Sequence, residues 1–306
     1  MAQPASGLIL VDKPAGWTSH DVVARIRKVA GTRKVGHAGT LDPMATGMLV
    51  IGFNKATRLL TYIVDTTKTY RATIRLGHNT TTDDADGEII QTRYANAVTT
   101  NDITSAVTGL IGTIQQVPSA VSAIKIGGKR AYQRVRDGET VDIPAREVTV
   151  HRFDLEDIRR ANDGKTIDID VEVECTAGTY IRALARDLGE TLNTGGYLTA
   201  LRRTAVGPYH IEDAVTIDEL ADNFVYTDLS TAISRLFPTR TISQNEAQDL
   251  IHGRRIAASE RNDLLAATLQ NGQVIALITN AERNDTIEAK PEIVFATLKH
   301  LTGEPS

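Results

Sequence analysis

The residues best suited to chemistry lie in one short segment, 36–47, which holds a single carboxylate, Asp42, and a histidine upstream of it, His37. Three glycines and Pro43 accompany them. Glycine lets the backbone adopt positive φ or pass close to a ligand, and a proline restricts the residue before it to extended conformations. The segment therefore predicts a rigid loop that presents Asp42 to a ligand. A loop that only turns the chain is the alternative, because Gly-rich stretches and Asp-Pro pairs are common in turns.

The charges that precede this loop indicate what the ligand is. Residues 22–41 contain five Lys or Arg, among them Arg33 and Lys34, and no Asp or Glu. A carboxylate at the end of a basic segment suggests chemistry on a bound polyanion, whereas a basic helix face in solvent is the ordinary alternative. The loop has neither the Gly-Lys-Ser/Thr ending of a P-loop nor the Gly-x-Gly-x-x-Gly of a dinucleotide-binding fold. A polyanion is therefore favoured over a nucleotide phosphate.

A second basic block, residues 120–136, also contains five Lys or Arg and no acid. Basic side chains around a pair of adjacent glycines suit a mobile loop that closes over phosphates, which we predict at about residues 117–140. An exposed basic hairpin is the alternative. A third basic site follows at Arg202 and Arg203.

The elements predicted beside Asp42 are those that have to position it. An apolar strand at 8–14, stopped by proline, and a second apolar strand at 48–52 flank the loop. Thr18 and Asp21 form a capping box that begins the basic helix between them. The loop is thus expected to lie between the basic helix and the second apolar strand.

The later part of the chain predicts more sheet. Residues 147–158 and 166–175 alternate in the strand period and predict an antiparallel pair with an acidic outer face, which should point away from a bound polyanion. A helix is predicted at 101–110 and another at 183–191. From about residue 235 short β segments follow a capping box, which predicts a separate small β-rich module.

The composition of the whole chain is that of a globular protein. Among its 306 residues 41% are hydrophobic and 24% charged, and no run of about 18 apolar residues predicts a membrane span. The net charge is −4, so nucleic-acid contacts would have to use local basic faces. The single cysteine, Cys175, excludes an intrachain disulfide and predicts a buried residue. The N-terminal residues lack the pattern of a secretory signal, and we expect a cytoplasmic protein.

No metal site is predicted. The acidic residues of the segment 82–88 suggest a calcium loop, but with Gly87 as the sixth position the required Glu falls at Arg93. A polar turn is therefore the expectation there. No histidine stands at a metal-ligand spacing such as His-Glu-x-x-His.

The Asp42 loop closely resembles the catalytic motif of the bacterial tRNA pseudouridine-55 synthases, the TruB-type family. The matching residues are Gly36-His37-Ala38-Gly39-Thr40-Leu41-Asp42-Pro43 and Ala45-Thr46-Gly47. Further matches follow in family order at 8–14, 18–20, 68–70, 122–132, 178–182 and 201–203. Pro118-Ser119 departs from the two prolines usual in the family, which bears on the stiffness of that loop.

The resemblance implies an α+β fold, with a mixed, largely antiparallel sheet flanked by helices. It implies a catalytic domain at residues 1–234 and a small PUA-like RNA-binding domain at 235–306. The implied reaction is isomerisation of uridine to pseudouridine at position 55, in the T loop of tRNA, after the base has been flipped out. The implied partner is the T-stem-loop, and a monomer without cofactor, metal or membrane contact is expected.

The resemblance also assigns roles to residues. Asp42 is the expected nucleophile, Arg182 would favour its charged form, and Tyr70 would contact the uracil and accept a proton in the later step. The residue type alone does not decide whether Asp42 attacks the sugar, attacks the base or abstracts a proton. His37 is the candidate for the space that the flipped base vacates. The other expected substrate or RNA contacts are Arg33, Lys34, Lys68, Lys125, Lys129, Arg130, Tyr180, Arg202 and Arg203.

Three other functions are compatible with parts of this pattern. An RNA-binding protein or RNA-folding chaperone would explain the basic segments, but it gains nothing from a carboxylate among them. A synthase that works in a guide-RNA particle is a second alternative. A glycosidase would need a second carboxylate flanking the bond, and the sequence offers no obvious partner for Asp42.

Overall fold

The computed structural model describes residues 6–119, 125–126, 129–130 and 143–297. Its helices are α1 (Ser19–Val29), α2 (Leu60–Val64), α3 (Thr100–Thr108), α4 (Ile181–Thr191), α5 (Ile217–Asp222), α6 (Leu229–Leu236) and α7 (Gln244–Ile251), with 3₁₀ turns at Asn54–Leu59 and Ile211–Asp213. Its strands up to the long hairpin are β1 (Gly7–Lys13), β2 (Val35–Ala38), β3 (Thr46–Phe53), β4 (Lys68–Leu76), β5 (His78–Thr80), β6 (Ile89–Thr92), β7 (Gly112–Gln116), β8 (Lys125–Ile126), β9 (Lys129–Arg130), β10 (Arg146–Arg160) and β11 (Ile167–Cys175). The remaining strands are β12 (Gly196–Val206), β13 (Tyr209–His210), β14 (Thr227–Asp228), β15 (Thr239–Thr241), β16 (Ile256–Ala257), β17 (Leu265–Thr268), β18 (Val274–Arg283) and β19 (Thr286–Val294).

One large sheet organises the first part of the chain. Its strands run in the order β14-β1-β3-β12-β4-β11-β10-β7, with β2 paired to β3 and β13 to β12. Neighbouring strands are antiparallel, except that β12 lies parallel to β3 where Arg202 and Arg203 face Thr46 and Gly47. The predicted α+β fold with a mixed, largely antiparallel sheet is confirmed. The parallel contact brings the end of the Asp42 loop beside a strand far away in sequence.

Helices cover the sheet where the sequence has apolar faces. The capping box at Thr18 and Asp21 is present, and α1 buries Val22, Val23 and Ile26 against β1 and β3. The helix α3 begins at Thr100, with Thr99 as its cap, slightly earlier than predicted. Helix α4 begins at Ile181 and packs on β12 and β4. These contacts fix the start of α4 at the end of the sheet that carries Asp42.

The long hairpin of β10 and β11 forms as predicted, but the charge of its outer face differs from the prediction. The apolar residues of β11 are buried and its acids lie on the other face. Those acids are paired with arginines of the neighbouring strands: Arg75 Nε lies 2.6 Å from Asp168 and Arg152 Nη2 lies 2.7 Å from Glu172. Because β4 and β10 supply these cations, the face is a mixed ladder of charges and not an acidic surface.

A second sheet lies in the C-terminal part. Its order is β15-β17-β18-β19-β16, and α7 packs on it behind the capping box of Ser243 and Glu246. Phe295 contacts the first part of the chain, where its carbonyl accepts a hydrogen bond from Lys55 Nζ at 2.7 Å. No helix of the described residues is long and apolar enough to span a bilayer.

Candidate active site

Asp42 lies on the wall of a pocket of about 270 Å³. This volume is just below the range of roughly 300–1,000 Å³ that is usual for ligand pockets. One wall is the loop 39–42, and the opposite wall is the segment 176–182 that leads into α4. Strands β4 and β12 form the floor with Lys68, Tyr70, Leu201 and Arg203. The sheet order thus brings together residues from the first loop, β4, α4 and β12.

Close contacts with Arg203 hold the Asp42 loop in place, in agreement with the rigid loop that its glycines led us to predict. Gly47 has φ +98°, and a Cβ there would lie 2.3 Å from the carbonyl oxygen of Arg203, so only glycine allows this approach. The Arg203 side chain is 1% exposed and donates to the carbonyls of Met48 at 2.7 Å and Gly39 at 3.0 Å. Arg203 therefore supports the loop, which differs from the RNA phosphate contact expected from the sequence.

The other side of the loop is tied to the N-terminal strand and α1. Buried Lys13 donates to the carbonyls of Trp17 at 2.7 Å and Pro43 at 3.3 Å. The backbone N–H of Leu41 donates to Ser19 Oγ at 2.9 Å. Burial lowers the pKa of Lys13 to about 8. The residues on both sides of Asp42 are thus fixed by hydrogen bonds to separate elements.

Asp42, Arg182 and Asp84 form a line of alternating charge. Arg182 Nε lies 3.0 Å from Asp42 Oδ2, and Arg182 Nη1 lies 3.5 Å from Asp84 Oδ2. Arg182 Nη1 also donates to the carbonyl of Thr82 at 2.8 Å. The arginine and Asp84 side chains are 5% and 6% exposed, whereas Asp42 is 38% exposed. Asp84 and the carbonyl of Thr82 therefore hold the guanidinium of Arg182, and its Nε is directed at the Asp42 carboxylate, which faces the pocket.

The surroundings of Asp42 act on its pKa in opposite directions. Burial raises the pKa of the carboxyl above its ordinary value, and the charge of Asp84 adds to this rise. The guanidinium of Arg182 opposes both, through its charge and its hydrogen bond. A partly enclosed carboxylate whose charged form is favoured by one neighbouring cation is suited, when ionised, to nucleophilic or proton-transfer chemistry.

Tyr70 and Lys68 are both buried in the pocket floor. Burial raises the pKa of the Tyr70 phenol, and the nearby charge of Arg203 opposes this rise. Burial lowers the pKa of Lys68 to about 8, and its amine donates to the carbonyls of Val64 and Thr66. Arg71, the residue after Tyr70, points to the opposite face and pairs with Glu172 at 3.1 Å. The strand period thus separates Tyr70 and Lys68 from Arg71.

His37 lies in β2, close to the loop, and its ring meets His20 of α1 edge to face. The two ring centroids are 5.9 Å apart. Burial lowers the pKa of His37, with smaller contributions from His20 and Arg203. The imidazole is therefore favoured in its neutral form next to the pocket.

The remaining predicted contacts are distributed around this centre. Arg33 and Lys34 are exposed at the start of β2. Arg202 pairs with Asp12 through two contacts, of 2.6 Å and 3.0 Å. Tyr180 lines the pocket, and its backbone is held by the amide of Gln116. Lys125 lies in β8 and Lys129 and Arg130 lie in β9, and the structure describes the backbone of these residues but not their side chains.

Sequence reasoning missed Asp84. It lies in the acidic segment that predicts a polar turn, and the turn is present, but one of its carboxylates is buried against Arg182. The only signal was the number of acids in a short turn. Asp84 faces the back of the arginine and is not part of the pocket wall, so it does not supply the second carboxylate that a glycosidase needs. Among the described residues no three His, Cys, Asp or Glu side chains form a group that could hold a metal ion.

Models of three known protein-family domains match consecutive parts of the chain. The TruB family pseudouridylate synthase (N terminal domain) matches residues 27–181. The tRNA pseudouridylate synthase B C-terminal domain matches residues 182–238, and the tRNA pseudouridine synthase II, C terminal, matches residues 237–296. All the pocket residues described above lie within the first two matched ranges.

Curated relatives are similar over nearly their full length. A protein of Arthrobacter sp. (strain FB24) named tRNA pseudouridine synthase B is 56% identical over 98% of this chain and 99% of its own length. One of Thermobifida fusca (strain YX) with the same name is 53% identical, over 95% of this chain and 99% of its own length.

Solved structures of lower identity share the fold. A chain of a Cbf5-Nop10-Gar1 complex superposes with a TM-score of 0.72 at 26% identity, covering 96% of this chain and 86% of that one. A chain of an H/ACA RNP bound to a substrate RNA containing 2′-deoxyuridine gives a TM-score of 0.71 at 25% identity, covering 95% and 85%.

Proposed function

The chain belongs to the TruB family of pseudouridylate synthases, and we propose that it converts uridine to pseudouridine at position 55, in the T loop of tRNA. It is an isomerase of the class to which its relatives named tRNA pseudouridine synthase B belong. The position in tRNA and the roles of individual residues are the proposed parts. The observation that carries the residue roles is the ion pair between Asp42 and Arg182 on the wall of a small pocket, and the position in tRNA rests on the resemblance of the motif around Asp42.

The chemistry explains why a carboxylate is needed. The N1–C1′ bond of the nucleotide breaks, the uracil turns while it is held, and C5 bonds to C1′ before it loses its proton. No group is imported and nothing is oxidised in this sequence of steps. We assign Asp42 the role of nucleophile, because an ionised and aimed carboxylate can attack an electrophilic carbon. Arg182 favours its charged form and fixes its direction.

Tyr70 is the proposed partner for the base. Its ring lines the pocket floor, so the uracil can pack against it while the glycosidic bond is open. Its oxygen is the proposed acceptor of the C5 proton in the last step. Burial disfavours the phenolate, and the nearby charge of Arg203 offsets part of that effect.

The target base must leave the folded T loop before it can reach Asp42. Extrusion of a base costs roughly a few kcal/mol of stacking and pairing. We propose that His37, neutral and beside the pocket, occupies the vacated space. Arg33 and Lys34 are exposed on the same strand region and are the proposed phosphate contacts, together with Lys125, Lys129 and Arg130.

The organisation around this site is also part of the proposal. We propose a catalytic domain at 1–234 and a PUA-like RNA-binding domain at 235–306, because the large sheet ends with β14 and the second sheet begins with β15. We expect the protein to act on tRNA as a monomer in the cytoplasm.

Two alternatives make different predictions for purified protein. A guide-dependent synthase is suggested by the solved structures of the Cbf5-Nop10-Gar1 and H/ACA RNP chains, whose identity to this chain is 25–26%. The curated relatives at 53–56% identity favour the stand-alone reaction. An RNA chaperone without catalysis would bind RNA equally well without Asp42.

The test is single-turnover release of tritium from C5-tritiated uridine in T-stem-loop RNA. Wild type should release tritium from this RNA without any added guide RNA, whereas Asp42→Asn should fold and bind RNA but release none. RNA binding without release by wild type would favour the guide-dependent or chaperone function. If Asp42→Asn loses binding and release to the same extent, Asp42 is not the nucleophile.

A further inference from the structure

A second arginine lies one turn beyond Arg182 on α4. Side chains four residues apart on a helix lie side by side on one face. Arg182 contacts Asp84, and Arg186 Nη1 lies 3.4 Å from Oδ2 of Asp83. Two consecutive carboxylates of the turn between β5 and β6 thus meet two arginines on consecutive turns of α4.

The turn holds Asp83 in an uncommon backbone conformation. Its φ is +60°, in the left-handed region that residues other than glycine rarely adopt. Such a conformation persists where the surroundings hold it. The carbonyl of Asp83 accepts from the N–H of Leu198 at 3.0 Å, and Asp84 Oδ1 accepts from the N–H of Asp86 at 3.1 Å. These bonds order the turn and fix it to β12, and Arg182 of α4 joins it through Asp84 and the carbonyl of Thr82.

The contact between Asp83 and Arg186 is a second connection between the turn and α4, one helical turn beyond Arg182. Their side chains are 14% and 22% exposed, so water screens the pair only partly. Arg186 also lies 2.8 Å from Asp187 and donates to the carbonyl of Val117 at 2.7 Å. Asp187 belongs to the same helix and cannot fix the turn against it. Asp83 is therefore the carboxylate through which Arg186 holds the turn.

We propose that Asp83 and Arg186 are positioning residues, which hold the turn against α4 so that Asp84 keeps Arg182 directed at Asp42. This inference rests on the proposed catalytic role of Asp42. Neither residue lines the pocket, so both act through Asp84 and Arg182. Their loss leaves Asp42 in place but allows the guanidinium beside it to move.

The test compares the single-turnover rate constant at saturating T-stem-loop RNA with the dissociation constant measured separately. Asp83→Asn and Arg186→Gln should each lower the rate constant about tenfold while RNA affinity changes less than about twofold. Asp187→Asn is the matched control, because it removes a carboxylate from the same guanidinium without touching the turn, and its rate constant should stay within about twofold of wild type. Asp83→Asn leaves the contact of Arg186 with Val117 intact and so isolates the turn.

A second measurement separates positioning from general support of the fold. In an Asp84→Asn background, Asp83→Asn should cause no further fall in the rate constant, because the residue through which it acts is already changed. The same tenfold fall in both backgrounds, or wild-type rates in the single variants, would overturn the inference while the proposed function stands. Failure of wild type itself to release tritium would remove both.

Discussion

Asp84→Asn and Arg182→Gln should move the pH dependence of the reaction in opposite directions. Asp84 and Arg182 lie 3.5 Å apart, and both side chains are almost fully buried. At an effective dielectric constant of about 20, two unit charges at that distance interact by about 5 kcal/mol. The net loss on replacing Asp84 is smaller, because asparagine has the same shape and Arg182 keeps Asp42 and the carbonyl of Thr82. We expect the free energy of unfolding to fall by about 1–2 kcal/mol, below the ~3–5 kcal/mol of a buried charge left alone.

The direction of each effect follows from the charges around Asp42. The negative charge of Asp84 raises the pKa of Asp42, so its removal lowers that pKa. The positive charge of Arg182 lowers the pKa of Asp42, so its removal raises it. Only ionised Asp42 is active in the proposed mechanism, and the rate falls as the pH drops through its pKa. The acidic limb should therefore move to lower pH in Asp84→Asn and to higher pH in Arg182→Gln.

The assay is single-turnover tritium release at saturating T-stem-loop RNA, between about pH 4 and pH 8, where an Asp with a raised pKa titrates. The plateau rate should fall about tenfold in Asp84→Asn, because Arg182 loses one of the groups that hold it. Asp86→Asn is the control, since its carboxylate is exposed in the same turn. Acidic limbs that move in the same direction in Asp84→Asn and Arg182→Gln, or that do not move, would refute this account of the site.

Three further outcomes follow from the contacts beneath the loop. Gly47→Ala should lower both activity and the melting temperature, because its Cβ would collide with the Arg203 backbone. Gly16→Ala, also at positive φ but in open space, should lower the melting temperature less. Equal melting temperatures of the two variants would contradict this. Arg203→Lys should fold but lose activity, because an amine cannot donate in the planar fork that reaches the carbonyls of Met48 and Gly39, and a wild-type rate of tritium release would exclude that role. Burial lowers the pKa of Lys68 in the folded protein from its ordinary value of 10.5 to about 8, so the unfolded chain binds more protons between these values. The free energy of unfolding should therefore rise with pH in that range. Lys68→Met should flatten that rise in denaturant titrations, and an unchanged slope would show that this lysine titrates normally.

The sequence alone determined the features that depend on neighbouring residues. The glycines and proline around Asp42 predicted a rigid loop, and that loop is present with Gly47 at positive φ. The capping boxes at Thr18 and Ser243 and the alternation of β11 fixed elements that the structure contains. These signals act over a few residues, through backbone sterics, caps and the two-residue strand period, so one sequence is enough to read them.

The resemblance to the family also pointed to Tyr70 and Arg182, which lie far from Asp42 in the sequence. The structure brings all three residues to one pocket. The same sequence gave no means to assign Asp84 to Arg182, since nearly a hundred residues separate them and a turn acid has no periodic pattern. Arg203 likewise reads as a surface cation until its strand is placed parallel to β3, beneath the loop.

The charges of the hairpin of β10 and β11 also depend partly on the sequence pattern and partly on the tertiary structure. Alternation predicted which residues of β11 face away from the core, but the arginines that neutralise them come from β4 and β10. Strand order is set by which apolar faces pack together across the whole domain, and this is a property of the assembled sheet. The sequence therefore determined where the candidate carboxylate, Asp42, lies in the chain, and the tertiary structure alone decided which charges surround it.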